Sequence, residues 1–167
     1  MHKVILAFIG MLPQFAMAQT ALAPANNCNP IANKKEISKM KQTTDATQKN
    51  VLGTNLQLAS TNPITGFYRN GYCKTGENDR GIHVVAAVLT KAFLEYSKAQ
   101  GNDLITPNPA YGFVGLKPGN TWCLCAARWK QAYLAGVAPP VVLEATHSKA
   151  LEYATLAELK SVPPTTK

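Results

Sequence analysis

Two long stretches of turn chemistry, residues 60–81 and 101–120, cut the apolar part of this chain into short runs. The first is punctuated by Asn62-Pro63, Thr65-Gly66, Asn70-Gly71, Thr75-Gly76 and Arg80-Gly81, pairs that favour tight turns over regular structure. Phe67, Tyr68, Tyr72 and Cys73 lie within it, and such residues argue for an ordered loop. Ordered loops of this length in a small domain usually serve a function. A fold made from the remainder must use short elements joined by these two loops.

The runs between the loops read as follows. Ile82–Leu89 is apolar and β-branched, which predicts a buried strand. Thr90 is placed to cap a helix running to Ala99, with Phe93, Leu94 and Tyr96 on its apolar face and Gly101 ending it. Thr121–Ala126 predicts a short strand, and Arg128–Leu134 a helix stopped by Gly136. Ala138–Ala145 predicts another buried strand, with Pro139-Pro140 at its start, where missing amide donors cost least. Val51–Leu58 predicts a short strand or hairpin arm, His147–Tyr153 a helical turn or short strand, and Thr155–Lys160 a last short helix. No internal repeat appears. Mixed strands and short helices with two long ordered loops give a small α+β, two-layer domain.

The N-terminus carries a different message. Met1-His2-Lys3 is a short basic start, Val4–Phe15 is apolar apart from Gln14, and Ala16-Met17-Ala18 is a small-x-small cleavage site. That order predicts a secretory signal peptide over 1–18. The apolar run, broken by Gly10 and Pro13, is shorter than the roughly 20 residues a membrane span needs. Residues 19–49 lack aromatics and read as a flexible basic tail. One domain is then expected over 50–162, with a C-terminal tail over 163–167.

The chain has 17 Lys and Arg against 9 Asp and Glu. Loss of Lys3 with the signal leaves 16 against 9, a net +7 for the exported form. Lys34, Lys35, Lys39, Lys41 and Lys49 concentrate that charge in the tail, and from Asn50 onward the balance is 11 against 7. A modest +4 on the domain, with the rest of the charge in a tail, argues against nucleic acid as partner and for solubility or contact with anionic surface polymers. A small-molecule ligand is the expected partner, and no cofactor or oligomeric state is specified.

Cysteine chemistry adds a second constraint, because an oxidising compartment pairs thiols. The exported form has Cys28, Cys73, Cys123 and Cys125, which allow three full pairings. Cys123–Cys125 would be strained, since strand residues two apart are held about 6.5 Å from each other. Cys28–Cys73 could staple the tail to the first loop.

The blocks Asn50-Val51-Leu52-Gly53, Thr65-Gly66-Phe67-Tyr68-Arg69, Gly101-Asn102-Asp103-Leu104, Gly115-Leu116-Lys117-Pro118-Gly119, Trp122-Cys123-Leu124-Cys125-Ala126, Ala138-Pro139-Pro140-Val141-Val142-Leu143 and Ala145-Thr146-His147 resemble, in this order, a bacterial family known as domain of unknown function 2237. The resemblance covers about Asn50–Leu159. It implies a small α+β fold and no particular reaction. Members of that family usually carry further cysteines where this chain has Ala59 and Ala86, and they lack the signal segment and tail.

Candidate site residues follow from side-chain chemistry. Cys123 and Cys125, two apart on a strand, face the same side and suit paired thiol chemistry or two metal ligands, or else a buried core. They do not complete a zinc signature, although Cys73, His83 and His147 could add ligands. His147 suits a general acid–base role or a cap for the turn that follows. His83, early in a buried strand, fits a hydrogen-bonded core histidine. Asp103 could orient a histidine or cap a turn. Asn102, Arg69, Arg128 and Trp122 are candidate ligand contacts, with Arg69 and Arg128 suited to anions. The expected site is one pocket where the two loops meet near Cys123, Cys125 and His147. It would serve a small-molecule binding protein or, alternatively, a thiol-dependent enzyme with Cys123 or Cys125 as nucleophile, His147 as base and Asp103 as orienter. Two further alternatives are a metal- or anion-binding module and an envelope interaction domain without chemistry.

Overall fold

The computed structural model of the protein describes residues 48–162. The expected signal segment, nearly all of the tail including Cys28, and the C-terminal tail lie outside the described residues. Within the last two residues of that expected tail, Gln48 exchanges hydrogen bonds with the backbone of Thr75, donating to its carbonyl at 3.0 Å and accepting from its amide at 3.3 Å.

At the centre is a two-stranded antiparallel sheet of β1 (His83–Val88) and β2 (Thr121–Cys125). His83 stands opposite Cys125, Ala86 opposite Cys123 and Ala87 opposite Trp122, with an irregularity between His83 and Val85. Val84 through Ala87 are all buried, so β1 is covered on both faces. This is why its sequence is continuously apolar rather than alternating.

Among the described residues, three α-helices complete the α+β fold. α1 (Lys91–Ala99) starts at Thr90, whose hydroxyl accepts the Phe93 amide at 3.1 Å, and it buries Phe93, Leu94 and Ser97. α2 (Ala126–Leu134) follows β2 without a loop and buries Ala126, Trp129 and Ala132, a helical spacing. α3 (Leu156–Ser161) opens on a reciprocal capping box between Thr155 and Glu158. Trp129, Phe93, Leu89, Leu94, Leu116 and Leu159 form the largest buried groups, each of the leucines and Phe93 contributing about 1.5–3 kcal/mol by leaving water. No helix among the described residues is long and apolar enough to cross a membrane.

Two expected strands are absent from the described structure. Around 51–54 the chain turns, because the buried Asn50 carboxamide oxygen accepts the amides of Leu52 and Thr54. Such a side chain offers the backbone a local alternative to a ladder. The segment 138–145 lies along the edge of β1 that β2 leaves open. It makes a single bridge, Val141 to Ala87, with hydrogen bonds from Val88 to the Pro140 carbonyl and from Val142 to the Ala86 carbonyl. Pro139 and Pro140 have no amide to extend the ladder, and Leu143–Ala145 closes into a 3₁₀ turn. His147 therefore ends no strand. It caps a second 3₁₀ turn, Ser148–Glu152.

A candidate binding site on the first loop

The first loop is fastened to β2 at one residue by two different bonds. Thr65, fully buried, accepts the Cys123 amide on its hydroxyl at 2.8 Å, and Cys73 is joined to Cys123 by a disulfide. Pairing of Cys73 with Cys123 overturns the expected Cys28–Cys73 staple. Ala59, Ala86, Ala145 and Val142 pack around this disulfide. The two positions where the resembled family usually carries further cysteines, 59 and 86, thus both border it. Cys125 is also disulfide-bonded, and none of the described cysteines is a free thiol. Cys123 and Cys125 are both buried. A thiolate at either position requires reduction first, so the nucleophile role expected for them is not available in the oxidised protein.

Between these anchors and the strand, the loop presents Phe67, Tyr68 and Arg69. Gly66 allows the approach: its φ is +89°, and a Cβ there would collide with the Tyr72 carbonyl. Arg69 itself sits at φ +52°, a region that costs a non-glycine residue energy and is found where surrounding structure imposes it. Its guanidinium carbon lies 4.9 Å from the centre of the Trp122 ring. The guanidinium makes a long hydrogen bond, 3.4 Å from Nη1 to the Ile64 carbonyl. Burial lowers the Arg69 pKa from its ordinary value, although the group stays cationic. Phe113, from the second loop, meets the Trp122 ring edge-on at 5.9 Å. The two loops therefore do meet, at Trp122, one residue from Cys123.

The other expected site residues are distributed elsewhere. Asp103 is exposed, and its carboxylate accepts the amides of Ile105 and Thr106 at 2.9 Å, the Thr106 hydroxyl at 2.7 Å and the Lys98 ammonium at 3.0 Å. The hydrogen bonds from Thr106, chiefly, hold its pKa far below the carboxylate range. It is a turn cap. Asn102 is buried, and its carbonyl accepts the Ser97 hydroxyl at the end of α1. Arg128 donates to the Gln100 carbonyl at 2.9 Å and ties α2 to the same helix end. Among the described residues no group of three or more His, Cys, Asp or Glu is placed to hold a metal ion.

His83 and His147 differ in the direction of their hydrogen bonds. His147 Nδ1 accepts the Lys149 amide at 2.9 Å, so a neutral His147 carries its proton on Nε2 and has no free lone pair. Burial, and then the charge of Lys149, lower its pKa and favour that neutral form. The expected alternative role, a cap, is the arrangement seen. His83 Nδ1 instead lies 2.5 Å from Asp79 Oδ1. Asp79 was not among the sequence-derived candidates. Its carboxylate is buried, and Oδ2 accepts the His83 amide at 2.8 Å and the Thr75 hydroxyl at 3.0 Å. Burial raises its pKa, but the hydrogen bonds and charge of His83, with Thr75, outweigh this and leave it lowered. The signal was available in the sequence as Asp79-Arg80-Gly81-Ile82-His83, a carboxylate and an imidazole separated by one tight turn.

A disulfide-braced α+β domain with an ordered cationic loop over its strand pair is the class that fold and site define. By its sequence the chain belongs to a bacterial family described as an uncharacterized protein conserved in bacteria, domain of unknown function 2237, whose model matches residues 49–163. A comparison with curated proteins returns no match.

Proposed function

We propose that this is an exported protein that binds a small anionic molecule at Arg69 and Trp122. One observation carries the reading: a half-buried guanidinium, held over an indole at a strained backbone position, forms no ion pair among the described residues. Taking a cation out of water without a counter-charge is costly, and a carboxylate or phosphate would repay that cost through the planar fork of the guanidinium. Trp122 holds the guanidinium by a cation–π contact.

Export is supported by the basic-apolar-small order of residues 1–18 and by a domain whose described cysteines are all in disulfides, a state that persists outside the reducing cytosol. The localisation proposed is periplasmic or secreted. Titration of the exported protein with inorganic phosphate, acetate and succinate, followed by tryptophan fluorescence, tests the binding reading. A saturable change that is absent in Arg69→Met supports it. An unchanged signal, or an equal response in the variant, refutes it.

A further inference from the structure

We infer that His83 is a proton acceptor, aimed by Asp79, for a small molecule or water bearing an O–H to be deprotonated at a second site on the same loop. The inference does not depend on the anion site. With Nδ1 hydrogen-bonded to a carboxylate, which cannot donate when ionised, the neutral imidazole must carry its proton on Nδ1. Nε2 then keeps its lone pair, and it makes no hydrogen bond within the described residues. The His83 side chain is 18% exposed, whereas that of Asp79 is fully buried. The carboxylate is therefore shut off from solvent, whereas part of the imidazole side chain is exposed. This is the orientation in which a histidine accepts a proton, the reverse of that at His147.

The surroundings fix the ring closely. Phe67 stacks on it at 6.0 Å with an 18° interplanar angle, and Tyr68 meets Phe67 edge-on. Ile82, the residue before His83, is held at φ +50°, and its amide donates to the Asp79 carbonyl at 3.0 Å. A Cβ at Gly81 would collide with the imidazole. A turn that only needed closing would not require a strained β-branched residue, an aromatic stack and a buried carboxylate on one ring. Thr75 is not a nucleophile here, because its hydroxyl donates to Asp79 and not to the imidazole. In the step itself the O–H bond of the bound group breaks and an Nε2–H bond forms. The electron pair stays on oxygen, and the imidazolium charge is balanced by Asp79.

Asp79 is a positioning residue, and two measurements on the oxidised full-length exported protein test the pair. Long-range ¹H–¹⁵N spectra of the neutral histidines should show the proton on Nδ1 in His83 and on Nε2 in His147. A proton on Nε2 of His83 overturns the inference, and this reading needs no variant to fold. Hydrolysis of p-nitrophenyl acetate, with water as the O–H, should then fall at least tenfold in His83→Gln. Asp79→Asn, whose amide can donate to Nδ1 and move the ring proton to Nε2, should lose activity together with the tautomer. His147→Gln should hydrolyse the ester as the parent does. A His83→Gln protein that keeps the parental rate overturns the inference.

Discussion

Replacing Cys73 and Cys123 together with alanine removes a cross-link whose ends are 50 residues apart in the chain. Closing a loop of that length in the unfolded chain costs about 14 cal/mol/K of entropy, or about 4 kcal/mol at 25 °C, on the chain-entropy relation. Both cysteines are almost completely buried, at 0% and 2% exposure, so the folded state also loses two packed sulfurs. Alanine at both sites avoids a lone thiol that could exchange with the bond at Cys125. A loss of roughly 3–5 kcal/mol is a large share of the total stability of a small domain, about 5–15 kcal/mol. It corresponds to a melting temperature lower by roughly 10–20 °C for a domain of this size. Urea denaturation under non-reducing conditions measures it directly. The midpoint should fall, and the slope should rise, because an unfolded chain without the cross-link exposes more surface. A loss below about 1 kcal/mol, or no Cys73–Cys123 peptide in a non-reducing digest, would refute the reasoning that this bond holds the loop on β2.

Two further outcomes follow from local geometry. His147 has a lowered pKa in the folded protein against an ordinary value of 6.5, so the unfolded chain takes up the proton first as the pH falls. The stability it contributes is complete above 6.5 and is lost as the pH drops from there towards the folded value; melting temperatures measured across this window should decline towards acid, and less steeply in His147→Gln. Gly66→Ala places a Cβ at φ +89° against the Tyr72 carbonyl; the backbone term alone should cost about 1–3 kcal/mol in urea denaturation, and an unchanged midpoint would contradict the loop geometry.

The regular elements could be read from the sequence where local chemistry decides them. Thr90 and Thr155 sit one residue before their helices and cap them through their hydroxyls, and the apolar runs at β1 and β2 are long enough to mark buried strands. Segment 138–145 misled because apolar composition reports burial, whereas a ladder needs amides that Pro139 and Pro140 lack. At the site, Arg69 and Trp122 were legible as residue types, but their stacking depends on where the loop is pinned, at Thr65 and Cys73. Disulfide pairing is tertiary information that four cysteines alone leave open. Asp79 and His83 were separable from the background only through their spacing across a tight turn. Asp103 and His147 show the converse: the right residue types, placed at turns whose backbone amides occupy the Asp103 carboxylate and the His147 Nδ1 lone pair.

The central claim is that an uncompensated guanidinium over Trp122 is a receptor for a small anion. Chemical-shift mapping of the oxidised protein with phosphate, acetate and succinate tests it most directly. The account predicts saturable shifts confined to the Arg69 guanidinium, the Trp122 indole N–H and the backbone of 64–71, all abolished in Arg69→Met. Shifts spread over the exposed lysines, or none at Arg69 for any of the three anions, would contradict it.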